Sequence, residues 1–460
     1  MLTLLGHRTR PFCDGLSRRS FLQVGSLGLG GLSLPALLRA DSQPGTRSTG
    51  RSVVMIYLPG GPTQHETFDP KPDAPQEIRG SFGPISTSVP SATFCELLPR
   101  LAQTAKHFSV VRTLTGMKNR HECFQCYSGR PGGRNEDNEP AGGWPSFGSV
   151  VSRVLGSGEP GIPAFVDASP KMGYGPYNQR GQHDASPRVS WPGFTGQQHT
   201  PFGLESDVKS DLVLQGLDLS RFQNRRDLLA SLAQFQKRVN VDGLDSFHQE
   251  AFGILTSNRL AEALDLESEP IQVRERYGRA QPTNPAYGGA PQSPQHLLLA
   301  RRLVEAGVRC VTVAFGAWDW HANGPDTIEG LAKLYLPVFD HALAVFFEDL
   351  HERGLLENVS VVVWGEFGRT PRINVDGGRD HWPDTQSILL AGGGVQGGRI
   401  IGQTDSSGGT PAQRPVHVQE VFATLYRNLG IDANAVTIPD LSGRPHYLVE
   451  ENRQPIGELF

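Results

Sequence analysis

Val308-Arg309-Cys310-Val311-Thr312-Val313-Ala314-Phe315 is a short apolar run that leads into Trp318-Asp319-Trp320-His321. A helical pattern covers Leu336 to Arg353, and a second apolar run follows, Val359-Ser360-Val361-Val362-Val363-Trp364. That run ends in Gly365-Glu366-Phe367-Gly368-Arg369-Thr370, and a turn later the chain reads Gly378-Arg379-Asp380-His381-Trp382-Pro383. Continuous runs of β-branched residues suit strands buried on both faces, and a helix between two of them suits a parallel βαβ unit. Acids and histidines gather just past the carboxyl ends of both strands, where open α/β sheets bind ligands.

The flanking sequence extends the same alternation. Ser52 to Leu58 is another buried-strand pattern, closed by the sharp turn Pro59-Gly60-Gly61-Pro62, and the loop after it offers His65, Glu66 and Asp69. Helical spacing is expected over Leu97 to Phe108, Trp144 to Leu155, Leu297 to Ala306 and Val418 to Leu429. Short strands are expected at Val110-Val111, Pro163 to Val166 and Ser387 to Leu390. Lys171 to Gly203 lacks periodicity and reads as a long covering loop, in which His183 and His199 read as surface residues. Arg225 to Val239 and Ser246 to Leu264 carry helical spacing, and Ala280 to Ser293 is a Pro/Gly-rich linker. The expectation is one α/β domain over 52–450, with a mostly parallel central sheet, helices on both faces, and a loop and helical insertion at about 171–293. Gly392-Gly393-Gly394 lacks the Lys-Ser/Thr ending of a phosphate loop, so nucleotide binding is not expected.

Composition narrows the classes. The chain has 460 residues with 37% hydrophobic and 20% charged, and its 54 glycines and 35 prolines predict long loops around a real core. A formal net charge of −4 offers no general basic field for nucleic acid. Five cysteines are too few for a disulfide scaffold of this size. Cys123-x-x-Cys126 is the one close pair, and it reads as incidental, as a local disulfide, as a redox pair or as half of a zinc site. At the amino end, Ser17-Arg18-Arg19-Ser20-Phe21-Leu22 is a twin-arginine export signature, followed by a Gly-rich apolar run from Val24 to Leu38. A signal peptide over 1–40 and a flexible mature start over 41–51 are expected, hence a periplasmic or secreted protein that has engaged the twin-arginine machinery. No other stretch approaches the ~20 apolar residues of a membrane span, so none is expected in the mature protein.

Several of these motifs resemble a known family. Gly365-Glu366-Phe367-Gly368-Arg369-Thr370-Pro371, Gly378-Arg379-Asp380-His381-Trp382-Pro383, Gly60-Gly61-Pro62-Thr63-Gln64-His65 and Thr67-Phe68-Asp69-Pro70-Lys71-Pro72 resemble the exported bacterial family labelled domain of unknown function fifteen-hundred-and-one. Asp340-x-Ala342, Arg353-Gly354-Leu355-Leu356 and the acidic loop after the next strand are similar to the carboxyl-terminal half of sulfatases and alkaline phosphatases. That wider resemblance implies an alkaline-phosphatase-like fold and a divalent metal, zinc or manganese. It makes Asp319 and His321 a paired Asp/His ligand set and His381 the last histidine ligand, with Asp380 beside it and Glu366 at a ligand position. Two departures stand out. Pro59-Gly60-Gly61 occupies the place of the usual metal-binding aspartate, which leaves His65 or Asp69 as substitutes. Asn119-Arg120-His121 stands where a Ser, Thr or Cys nucleophile belongs, before Ser128-Gly129-Arg130.

The expected metal ligands are thus Asp319, His321, Glu366, Asp380, His381, His65 and Asp69. Imidazole and carboxylate donors suit zinc, manganese or iron. Arg369 is the expected anion holder, with Arg379 as second choice, and His121 or His381 the expected proton carrier. The corresponding function is a metal-dependent hydrolase of small phosphate or sulfate esters, or of a sulfated or phosphorylated sugar, using a metal-activated water. The alternative is a non-catalytic binding or assembly protein on the same scaffold. Asp340, on a helix, is expected to serve as a cap or solvent partner.

Overall fold

The computed structural model describes residues 45–90, 92–130, 141–170, 172, 191–204, 253, 258–280, 289–322 and 326–460. Nine strands form the central sheet: β1 (Ser52–Tyr57), β2 (Phe108–Thr115), β3 (Phe165–Asp167), β4 (Phe202–Gly203), β5 (Cys310–Ala314), β6 (Val359–Trp364), β7 (Gln386–Ala391), β8 (Ile400–Ile401) and β9 (Val416–His417). Their order is β8-β2-β7-β6-β1-β5-β3-β4, with β9 also on β2. β1 lies parallel to both β5 and β6, and β3 is parallel to β5 and β4. β7 alone runs antiparallel to its neighbours β6 and β2. Two reversals restore the direction, so β2 points the same way as β6, β1 and β5. Their carboxyl ends therefore open on one edge.

Burial explains the continuous apolar runs. After α1 (Pro99–Thr104) and α2 (Phe147–Leu155) come α3 (Pro294–Glu305) and α4 (Ile328–Glu352), and Val54 and Ile56 of β1 face a core built with Leu298 and Leu303 of α3 and Leu343 and Phe347 of α4. Val53, Met55 and Tyr57, one step out of phase, face the opposite core. There they meet Phe147 and Val151 of the Phe147–Leu155 helix and Phe422 of the Val418–Asn428 helix. A strand covered on both faces has no polar side, which is why these strands lack alternation.

α4 is longer than the expected Leu336 to Arg353. Thr327 caps its amino end by accepting the Gly330 N–H at 3.3 Å, and the helix carries Pro337 in its interior. It is long and apolar enough to cross a membrane by length and composition, contrary to the expectation from the sequence. However, 67% of its most apolar stretch is buried within the protein, so that apolar surface serves the core. Asp340 is a cap: its carboxylate accepts the Arg100 and Leu101 N–H groups at 3.0 and 2.8 Å, at the start of the Pro99–Thr104 helix. That helix is shorter than the predicted Leu97 to Phe108: Ala105–His107 tightens into a 3-10 turn, and Phe108 already belongs to β2. The Asn258–Leu264 helix lies in the expected insertion. The Arg225 to Val239 helix, the leader, His183 and most of the Ala280 to Ser293 linker lie outside the described residues.

Candidate metal centre

Three loops at the carboxyl edge of the sheet converge. The loop after β5 supplies Asp319 and His321. Trp318 and Trp320 are buried, stacked at 5.1 Å, and each donates its Nε1–H to a backbone carbonyl, of Phe315 and Ala317. With alternate residues anchored inward, Asp319 and His321 turn to the rim. The loop after β6 supplies Glu366, Phe367 and Arg369. Gly368-Arg369 then pairs antiparallel with His381-Trp382, in register His381 with Arg369, which carries Asp380 and His381 back to the same place. The loop after β2 supplies Asn119 and His121.

His121, Asp319, His321 and His381 each offer a donor atom within 4.8 Å of the others. Asp319 is the centre. Its Oδ1 stands 3.1 Å from His321 Nε2 and 3.4 Å from His381 Nε2, and its Oδ2 3.4 Å from His121 Nε2. His321 Nε2 and His381 Nε2 are 2.8 Å apart. Tetrahedral ligands held about 2.1 Å from one ion stand about 3.4 Å from each other, so the spacing suits a shared cation.

The other ring nitrogen of each histidine faces an oxygen. His121 Nδ1 meets Glu366 Oε1 at 2.9 Å, His321 Nδ1 meets Asp380 Oδ1 at 2.9 Å, and His381 Nδ1 meets Asn119 Oδ1 at 2.7 Å. A carboxylate or amide oxygen accepts, so hydrogen-bond partners assign the proton to Nδ1. All three Nε2 atoms then face Asp319. Holding the proton at Nδ1 is how proteins orient imidazole toward a metal. The donor set, three imidazoles and one carboxylate, fits a zinc-, manganese- or iron-class ion. Side-chain exposures of 14 to 30% leave the cluster reachable from solvent on one side.

Electrostatics agree with the geometry. Burial alone would raise the Asp319 carboxyl, but hydrogen bonds from the three histidines and the Arg369 charge hold it far below its ordinary range. Burial pulls His121 down, yet Asp319 and Glu366 on its two nitrogens lift it to about 9. Burial pushes His381 down to about 4. The pocket between Asp319 and Glu366 thus favours positive charge.

The structure separates the expected residues. Asp319, His321 and His381 come together, and His121, expected as a proton carrier, joins them as a donor. Glu366 and Asp380 stand behind histidines and are not among the four converging donors. His65 and Asp69 lie apart. His65 Nε2 bonds the Ser407 carbonyl at 2.7 Å, and Asp69 is tied to Thr404, Lys71 and Arg112. Arg369 departs most from expectation. It is fully buried, and its guanidinium donates to the carbonyls of Gly60, Gly61 and Arg379 and to Asp319 Oδ1. It has no face open to a substrate anion and serves as a strut. Arg379 is equally buried and paired with Glu66 at 2.6 Å. Phe367, packed 4.3 Å from the His381 ring and 5.1 Å from the His121 ring, walls the site.

Cys123 and Cys126 are buried and are not joined by a disulfide. Burial raises both thiols well above their ordinary range, which disfavours a thiolate nucleophile there. His121 was legible only as a residue of the loop after β2, and the direction of β2 in the sheet is what brings it to the other three donors.

The family model described as "Protein of unknown function (DUF1501)" matches residues 50–460. No curated protein matches the chain. Among solved structures, the chain is similar to the phosphonate monoester hydrolase SpPMH from Silicibacter pomeroyi, with a TM-score of 0.37, 11% identity, and coverage of 85% of this chain and 76% of that one. It is similar to the PsFucS1 sulfatase from Pseudoalteromonas sp., with a TM-score of 0.35, 11% identity, and coverage of 86% and 71%. Ps i-CgsB in complex with k-i-k-neocarrahexaose gives 0.35, 10% identity, and coverage of 89% and 78%. Superposition this loose aligns no side chains, so the site stands on its own geometry.

Proposed function

The chain belongs to the family of proteins of unknown function DUF1501, and from its site we propose an exported, metal-dependent hydrolase of phosphate or sulfate esters that uses water as its nucleophile. One observation carries the reading: three histidines whose Nδ1 positions are held by Glu366, Asp380 and Asn119 aim their Nε2 atoms at Asp319. His321 Nε2 and His381 Nε2 stand 2.8 Å apart beside Asp319, close enough for one cation to bridge them. His121, Asp319, His321 and His381 would hold the ion. When bound, it supplies Lewis acidity toward an ester oxygen and lowers the pKa of water.

The chain's own residues do the rest. Arg369 and Trp318 fix Asp319, Phe367 excludes solvent from one side, and Asp380 and Glu366 hold the histidine tautomers. The absence of Ser, Thr or Cys at Asn119-Arg120-His121 supports a direct attack by water over a covalent intermediate. Export by the twin-arginine route rests on Ser17 to Leu22.

Protein purified from the exporting compartment is expected to hold about one transition ion per chain. It should hydrolyse aryl phosphates or aryl sulfates, lose that activity on chelation, and regain it when zinc or manganese is returned. Folded wild-type protein that binds neither ion defeats the reading. Retained ion with no hydrolysis of either ester class would leave the binding-protein alternative. Separately, Arg18→Lys with Arg19→Lys is expected to strand the precursor in the cytoplasm on fractionation, and unchanged export would refute the leader assignment.

A further inference from the structure

The turn that replaces the usual aspartate, Pro59-Gly60-Gly61, contributes no side-chain donor to the cluster, yet the loops after β5 and β6, which carry three of the four donors, lock onto it. Trp318 N–H bonds the Pro59 carbonyl at 2.8 Å. Gly60 N–H donates to Glu366 Oε1 at 2.9 Å, and Arg369 Nε donates to the Gly61 carbonyl at 3.0 Å. Another Arg369 nitrogen bonds the Gly60 carbonyl. The same Glu366 oxygen takes the His121 Nδ1 hydrogen, while Oε2 is buried with no hydrogen-bond partner among the described residues. One oxygen atom therefore ties the turn to His121.

Resting on the metal reading above, we propose that Glu366 is a positioning residue: from the Gly60 N–H it fixes the direction of His121 Nε2 and so sets the ion affinity of a centre it never touches. Its complete burial distinguishes it from Asp380. Asp380 holds His321 in a similar way, but its side chain is 55% exposed and it can move. Truncation in Glu366→Ala leaves His121 Nδ1 and the Gly60 N–H without this shared acceptor at a buried position. His121 then loses the anchor on its Nδ1 side. Outer partners of this kind typically govern metal affinity by about 10- to 100-fold.

The test uses full-length mature protein and Co2+, whose visible absorption reports ligand geometry. Glu366→Ala is expected to weaken Co2+ binding by about 10- to 100-fold and to change the band pattern. Glu366→Gln keeps an oxygen at Oε1 for both donors and is expected to recover most of the affinity and the wild-type spectrum. Unfolding midpoints taken alongside separate positioning from general support. Glu366→Ala with wild-type affinity and spectrum would overturn the proposal. So would equal weakening in both variants accompanied by an equal fall in unfolding midpoint. If wild-type protein itself takes up no Co2+, the failure belongs to the metal reading beneath.

Discussion

Asp319→Ala is expected to empty the centre, with ion content falling from about one per chain to background and ester hydrolysis falling with it. Asp319 is the one carboxylate facing all three Nε2 atoms. Without it the donor set is three imidazoles with no anion at the centre. The fold should suffer as well. Arg369 is fully buried and Asp319 is the carboxylate it touches, at 2.5 Å. Its carbonyl partners remain, but the charge loses its counterion, and breaking such a pair typically costs about 3–5 kcal/mol. Asp319→Asn keeps an oxygen for the guanidinium and should recover part of that stability without restoring the ion. Metal analysis of the purified variants, with urea unfolding of each, reads both effects. Full ion content in Asp319→Ala would show that the four donors do not act as one site.

The second large effect is expected at Gly60. Its φ is +108°, and a Cβ there would sit 2.3 Å from Asp319 N and 2.7 Å from the Trp318 carbonyl carbon. Both are backbone atoms, so no rotamer change relieves the clash, and the Asp319 loop must withdraw. Gly60→Ala should therefore cost about 2–5 kcal/mol from overpacking and left-handed strain together, and impair ion binding in the same step. Gly354→Ala is the control. Gly354 has φ +68° with nothing within 4 Å of its Cβ position, so strain alone acts there, at about 1–2 kcal/mol, and the ion should stay bound. Equal urea midpoints and equal ion content in the two variants would mean that close packing of the turn against Asp319 is not what holds the centre.

Much of the fold was legible beforehand because its signal is local. Runs such as Val53 to Tyr57 and Val359 to Trp364 need both faces buried, and that requirement appears as uninterrupted apolar sequence. The βαβ order from α3 through β5, α4 and β6 follows from the same reading. Element ends were less legible. Thr327 starts α4 well before its strongest apolar pattern, and Phe108 cuts the preceding helix short, because tertiary contacts decide where each backbone hydrogen bond goes.

The site divides along the same line. The sequence by itself determined the chemical inventory at the sheet edge: Asp319, His321 and His381 are there because they follow strands, and no nucleophile stands at Asn119-Arg120-His121. Only the tertiary structure decided the roles. The two antiparallel steps through β7 bring β2, and with it His121, to the edge where β5 and β6 end. Burial turns Arg369 from a substrate holder into a strut and moves Glu366 behind a histidine. Residue type tells which atoms can donate or accept. Whether they meet an ion, a neighbour or water depends on distances between loops far apart in the chain, and those are set by packing.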